Sequence, residues 1–462
     1  MKELQFYALI ISRLAQKYLL KQKLLTLTIL GLLALILIAK QANFIIIRPA
    51  VSEGIIGIYT NQNLPSPVTN LLSEGLITLD QTGKPLPNLV SGWQVNNDAT
   101  IYTLKLKDNL TWNDGTPVRS SEIIFHIPNV KTEHPDDRTI VFKLDDSFSP
   151  FPSLLTQPIF KGDTRIGVGK YNIFQAEQSR NILSKITLTP RDNAGRNLPT
   201  ISIRFYPDEK AAKTAFSLGE IDSLIGIPED KSQKNVSQKK LTTKDKLTAI
   251  FYNTKDKILS DKNLRKALSF ETPSIPSEEK AKGPIHLSSW AFNPDLREYL
   301  DSPPLAKNYL EKANLGDNST ITLTTTPQLA ELGEKIISAW KNLGIDAVLR
   351  VESGVPQNFQ ALLFTATIPA DPDQYSLWHS TQNSTNISQY SSPRADKDLE
   401  DGRKTSDPEK RKEKYTDFQR VILEDAPATF LYFPGTNVIY RTRVEKDLDQ
   451  ALKLQFPASE PS

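Results

Sequence analysis

The pattern of apolar and polar positions changes character near residue 50. Upstream, residues 24–39 (LLTLTILGLLALILIA) form an uncharged apolar run, and residues 44–47 add a second patch after Lys40. A run of this length falls between a signal-peptide core and a full bilayer span of ~20 residues. Lys2, Arg13, Lys17, Lys21 and Lys23 precede it, opposed only by Glu3. That charge bias places residues 1–23 in the cytoplasm and the body outside it. No clean small-x-small cleavage site follows the run. Residues 24–47 therefore read as an uncleaved, single-pass signal anchor in the cell membrane, with cleavage as the alternative.

Beyond Val51 the pattern is that of a folded domain. Residues 55–59 read as a strand, and 68–76 have helical spacing, with Val68, Leu71, Leu72 and Leu76 on one side. Residues 93–95, 101–106, 110–112 and 139–144 alternate as strands, and Asn113-Asp114-Gly115 supplies a hairpin turn. Residues 201–205 form a strand, and Asp208 caps a helix that Gly219 ends. Residues 231–246 are polar and lysine-rich, which reads as an exposed connection before strand character returns at 247–253. Residues 305–313 read as a helix. The order strand 321–325, helix 328–343, strands 345–351 and 359–364 implies an α/β lobe. Ser406 caps and Pro408 opens a last long helix, with Tyr415, Phe418, Val421 and Ile422 inward. Residues 430–433 then read as a buried strand.

Composition narrows the function. At 462 residues the chain has room for two or three domains, and 39% hydrophobic with 24% charged residues suits a globular body. A net charge of +3 calls for no nucleic-acid partner. With no cysteine, disulfides, thiolate metal sites and cysteine nucleophiles are excluded together. The histidines, His126, His134, His286 and His379, share no ligand spacing, so neither metal nor cofactor is expected. There is no G-x-S-x-G elbow and no H-E-x-x-H, and an enzyme is not expected. The acidic pairs Asp136-Asp137, Asp145-Asp146 and Asp371-Asp373 sit beside prolines or turns and read as solvated turn formers.

The stretch 365–390 (TATIPADPDQYSLWHSTQNSTNISQY) mixes aromatics with amides and hydroxyls. Flat apolar faces beside short polar groups desolvate and orient a small ligand, which makes Tyr375, Trp378, His379 and Asn386 candidate contacts. A surface loop whose aromatics plug the core is the competing reading, and a lone histidine beside Trp378 fits packing as well as it fits a ligand.

In this order the text resembles the family-5 extracellular solute-binding proteins, the peptide-, dipeptide- and nickel-type receptors of ABC importers. The matching words include NLPSPVTNLLSEGLITLD at 63–80, SGWQVNNDATIYTLKLKDNLTWNDGTPV at 91–118 and FYPDEKAAKTAFSLGEID at 205–222. FYNTKDKILSDKNLRKAL at 251–268, ADPDQYSLWHS at 370–380 and YTDFQRVILEDAPATFLY at 415–432 continue the series. The resemblance implies an α/β, two-lobe periplasmic-binding-protein-like fold with an inserted β-rich subdomain, preceded here by the transmembrane helix. Its expected layout is lobe 1 at 51–76, 163–252 and 429–456, the subdomain at 77–162, lobe 2 at 253–428 and a tail at 457–462. Residues 167–171 (GVGKY) look like the family's glycine turn.

The resemblance further implies a monomer that captures a peptide or peptide-like ligand and delivers it to ABC permease subunits. A membrane-anchored scaffold with the same fold and no transporter is the alternative. The expected ligand contacts are Tyr59, Asn63, Thr365, Ala366, Thr367, Tyr375, Trp378, His379 and Asn386. One departure matters. Peptide-binding relatives often carry an aspartate three residues before the Asp-Pro pair, where it meets the ligand's α-amine, and that position here is Ile368. Ligands with free and blocked amines are therefore expected to bind about equally, held mainly through Trp378, Tyr375 and backbone groups of residues 365–367.

Overall fold

Strands of alternating apolar residues assemble into three sheets of four or more strands. The computed structural model describes residues 28–32, 50–191, 197–227, 235–315, 319–354, 356 and 358–457. Residues 28–32 belong to the unit Met1–Pro49 and are helical, with Ile29, Leu30 and Leu32 exposed. No helix among the described residues is long and apolar enough to cross a membrane. Residues 1–27 and 33–49, which hold the expected cytoplasmic segment and most of the expected anchor, lie outside the described residues. So do residues 458–462 of the expected tail. The second unit, Ala50–Ser462, holds the sheets.

The first sheet has seven strands, in the order Val236–Thr242, Gly435–Arg441, Ser223–Ile225, Ala50–Ile56, Thr200–Tyr206, Ile182–Pro190, Tyr171–Ser179. Ala50–Ile56 runs parallel to both of its neighbours and carries Val51, Glu53, Gly54 and Ile55 into the interior. The strand expected at 55–59 thus starts five residues earlier and stops at Ile56, because Gly57 takes a φ of +139°. The second sheet has six strands, in the order Glu279–Lys280, Ala428–Phe433, Lys246–Tyr252, Ala361–Thr367, Ile321–Thr325, Ala347–Val351. Its central strand, KLTAIFY, is buried at every position after Lys246. The third sheet orders Val90–Val95, Ile101–Leu106, Thr139–Leu144 and Val130–Asp136, and beside it Ile77–Leu79 pairs with Pro85–Pro87.

The chain crosses between the first two sheets twice. One crossing is residues 243–245, between Val236–Thr242 and Lys246–Tyr252; the other is Pro434. The return to the first sheet therefore begins at Gly435, not at 429 as expected, because Ala428–Phe433 pairs with Lys246–Tyr252 in the second.

Local signals account for several helices. Asp208 accepts from Ala211 N at 2.8 Å, and Gly219 ends the helix Glu209–Leu218 at φ +82°. The long helix Pro408–Asp425 buries Tyr415, Phe418, Val421 and Ile422, but its cap is Asp407, not Ser406. The Asp407 carboxylate reaches Glu409 N at 3.0 Å. The polar segment 231–246 contains a strand, Val236–Thr242, paired along its whole length with Gly435–Arg441. Two of its lysines are engaged at their heads: Lys239 Nζ lies over the Tyr440 ring at 4.5 Å and pairs with Asp449, and Lys240 Nζ pairs with Glu278 Oε1 at 2.6 Å. Residues 110–112 make only the bridge Thr111–Pro117, closed by Trp112 N donating to Thr116 O at 2.8 Å. Gly167 and Gly169 run so close to the end of helix Ser66–Leu72 that a Cβ on either would overlap the Leu72 backbone.

Candidate functional site

A cavity of about 830 Å³ is lined from both of the larger sheets. Its floor is Ile55, Ile56 and Ile225, at the carboxyl ends of two parallel strands of the first sheet. Open α/β sheets bind ligands at that end, where loops diverge and the strand termini leave a crevice. Tyr59 stands beside the floor, tilted against Phe205 with ring centroids 5.1 Å apart, and its hydroxyl donates to Ile56 O at 3.3 Å. Pro65 to Pro67 and Asn70 add a second wall. On the second-sheet side the lining is Ile285, His286, Ser288, Ser289, and Ile368 to Ala370 with Pro372 and Gln374. Thr242 to Lys246 and Thr436, at the two crossings, complete it.

A turn from the two-stranded hairpin spans the cavity's edge. Asp80 accepts from Thr82 N at 2.8 Å, Thr82 Oγ1 at 2.7 Å and Lys84 N at 2.9 Å, which fixes the turn. Its carbonyls reach across: Thr82 O accepts from Trp290 N at 3.0 Å, and Gln81 O accepts from Lys244 Nζ at 2.8 Å. His286 is buried, its ring centroid 4.5 Å from that of Phe433, and Nδ1 accepts from Ser288 N at 3.2 Å. Burial pushes its pKa below the ordinary value against the opposing pull of Glu279, so the imidazole facing the cavity is neutral at pH 7.

The nine expected contacts are not brought together. Of them only Tyr59 lines the cavity. Asn63 is exposed, and its N–H donates to Thr60 O at 3.1 Å. Thr365 Oγ1 lies 2.9 Å from Thr248 Oγ1 on the neighbouring strand; Ala366 is buried in the core, and Thr367 is exposed. Trp378 is 1% exposed, packed against Phe251 and Phe430, with Nε1 donating to Gln374 Oε1 at 2.9 Å. Both its faces and its polar handle are taken within the core, and so it packs beneath the cavity instead of facing into it. His379 is buried between the Tyr375 ring, 4.0 Å away, and Glu400 Oε1, 3.3 Å from Nε2. Asn386 ties its own loop, donating to Tyr390 O at 2.8 Å.

Asp371 and Asp373 also depart from expectation: both are buried, not solvated. Arg411 Nη2 donates to Asp371 Oδ1 at 2.6 Å, and Arg403 grips Asp373 Oδ2 through Nε and Nη2 at 3.0 and 2.9 Å. Burial raises the Asp373 pKa despite Arg403. The Arg403 guanidinium also lies 4.0 Å from the Tyr375 ring centroid and 4.9 Å from that of Phe148. These pairs tie residues 371 and 373 to the helices Pro393–Lys404 and Pro408–Asp425, on either side of Pro372 in the cavity lining. Among the described residues no group of three or more acids and histidines is placed to hold a metal.

Sequence reasoning missed most of the true lining. Ile285, His286, Ser288, Ser289, Gln81 to Gly83 and Gln455 to Pro457 carry no motif, and of the nine expected contacts Tyr59 alone marked the cavity.

The geometry has relatives. The periplasmic murein peptide-binding protein MppA of Escherichia coli (strain K12) is 24% identical over 446 residues, covering 78% of this chain and 82% of its own. The oligopeptide-binding protein AppA of Bacillus subtilis (strain 168) is 23% identical, covering 84% and 85%. Among solved structures, the ABC transporter substrate-binding protein CtaP of Listeria monocytogenes aligns with a TM-score of 0.72 at 19% identity. That alignment covers 86% of this chain and 94% of CtaP, and supports the two-lobed α/β fold. Residues 84–389 match the profile of the bacterial extracellular solute-binding proteins, family 5 Middle. Proteins of this family bind solutes and are not enzymes. Its match extends over most of the chain, which belongs to the family-5 bacterial extracellular solute-binding proteins.

Proposed function

We propose that this protein captures a peptide or peptide-like ligand in the cavity between its lobes and delivers it, as a monomer, to the permease subunits of an ABC importer. The observation that carries the reading is the cavity itself. About 830 Å³ of mostly apolar lining with a few convergent polar groups is the size and character of a small-molecule site. Relatives whose names specify murein peptides and oligopeptides favour a peptide over other solutes. The lobe borders that best fit this role are the crossings at 243–245 and Pro434, since the two lobes can hinge there without breaking a sheet. Closure excludes water and strengthens each polar contact to the ligand. The basic, then apolar, N-terminal segment would hold the body outside the cytoplasm as an uncleaved single-pass anchor.

The test is native mass spectrometry of the full chain in detergent after gentle purification. A peptide-sized mass bound at one per protein is expected, and its loss on mild unfolding should free a peptide. Co-purification of a non-peptide solute in its place would overturn the ligand class.

A further inference from the structure

We infer that Glu53, Ser223 and Gln455 form a site for a monovalent alkali cation behind the cavity floor, where the ion ties the last helix to the first sheet. The inference stands apart from the peptide reading. All three side chains are at most 1% exposed. Each carries a buried oxygen with no hydrogen-bond partner among the described residues: Glu53 Oε1, Ser223 Oγ and Gln455 Oε1. Buried polar atoms are almost always paired, so three such oxygens in one place point to a shared ligand. The fold does bring them together. Glu53 stands opposite Ser223 across the parallel strands Ala50–Ile56 and Ser223–Ile225, which sets both side chains on one face of the sheet. Gln455 comes to that face from the end of helix Glu445–Gln455, and its Nε2 donates to Glu53 Oε2 at 2.5 Å.

The chemistry favours a small cation of single charge. A carboxylate, an amide oxygen and a hydroxyl, without histidine or thiolate, are the hard donors that suit alkali and alkaline-earth ions. They hold one negative charge between them, and a divalent ion would leave buried charge unbalanced. Among the described residues no cationic side chain acts on Glu53. The strand on its other side presents Ile203, and Asn70 of helix Ser66–Leu72 donates to Gln455 O at 2.9 Å. One strand beyond Ser223, Tyr440 gives its hydroxyl to Glu445 Oε1 at 2.7 Å, and Lys239 over the Tyr440 ring is paired with Asp449. The site also lies at a helix C-terminus, where the aligned carbonyls favour positive charge. Burial without a cationic neighbour pushes the Glu53 pKa up to about 7. Below that pH a proton neutralises the carboxylate, and above it a cation competes for the same oxygens. Gln455, Phe456 and Pro457 also line the cavity, so the ion would hold that stretch of its wall in place.

The experiment follows thermal unfolding of the full chain in detergent at pH 8, with choline chloride replaced by sodium or potassium chloride at constant ionic strength. The bound cation is expected to raise Tm by about 1–2 °C at tenfold excess over its dissociation constant, and the rise should saturate. At pH 5, where a proton holds Glu53, the rise should vanish. Glu53→Gln keeps the shape without the charge, and should show no rise at either pH. Ser223→Ala keeps the charge and removes one donor, so its half-maximal rise should need several-fold more cation. Equal Tm in all three salts at pH 8 overturns the site and leaves the proton as the sole occupant. A rise that survives Glu53→Gln overturns it in favour of a general salt effect.

Discussion

Glu53 sits in the central strand of the first sheet with no exposed surface. Its Oε2 accepts from Gln455 Nε2 at 2.5 Å, while its Oε1 has no partner. Burial pushes its pKa from 4.5 up to about 7, and the bond from Gln455 only partly opposes that rise. The folded chain therefore binds a proton between about pH 4.5 and 7 that the unfolded chain has released. The stability this contributes is fully present below pH 4.5 and is lost as pH rises through 7. At 1.36 kcal/mol per pKa unit, a rise of this size corresponds to roughly 3 kcal/mol. Glu53→Gln keeps the shape and an oxygen for Gln455 but cannot ionise. Urea unfolding of both proteins at pH 4.5, 6, 7 and 8 measures the effect. The variant should gain on wild type by roughly 3 kcal/mol between the lowest and highest pH. Parallel pH profiles would refute the burial argument, and wild type gaining on the variant with rising pH would reverse its sign.

Trp378→Ala should cost about 3–5 kcal/mol of stability, as deletion of a buried indole does, and leave the affinity of the folded fraction unchanged in calorimetry. Arg411→Met leaves Asp371 buried without its partner, so unfolding should be easier by about 3–5 kcal/mol, with much of that recovered when Asp371→Leu is added. Protease treatment of intact cells should remove the domain from Val51 onward and leave a short membrane fragment; mature protein free in the medium and starting near Ala42 would contradict the anchor.

Where periodicity and end signals coincide, the fold was legible. Asp208 and Gly219 bracket their helix, and the apolar run at 430–433 lies inside a buried strand. Where tertiary pairing decides, it was not. The lysine-rich 236–242 forms a strand only because Gly435–Arg441, about 200 residues away in sequence, pairs with it. Helix Pro393–Lys404 was hidden in a charged segment, with just Ala395, Asp398, Leu399 and Gly402 buried. The site was less legible than the fold. Trp378 and His379 look like ligand contacts because aromatics and amides suit both a site and a well-bonded core, and composition does not separate the two. Asp371 and Asp373 look like turn acids until Arg411 and Arg403, 30 to 40 residues on, are seen against them.

The central claim is that ligand is held between two lobes that hinge at residues 243–245 and Pro434. Small-angle scattering of the full chain in matched-out detergent, with and without the peptide that it retains, tests this most directly. A smaller radius of gyration is expected with peptide bound, and no such change when an engineered disulfide holds the lobes from closing. An unchanged radius on peptide binding by the wild type would contradict the claim.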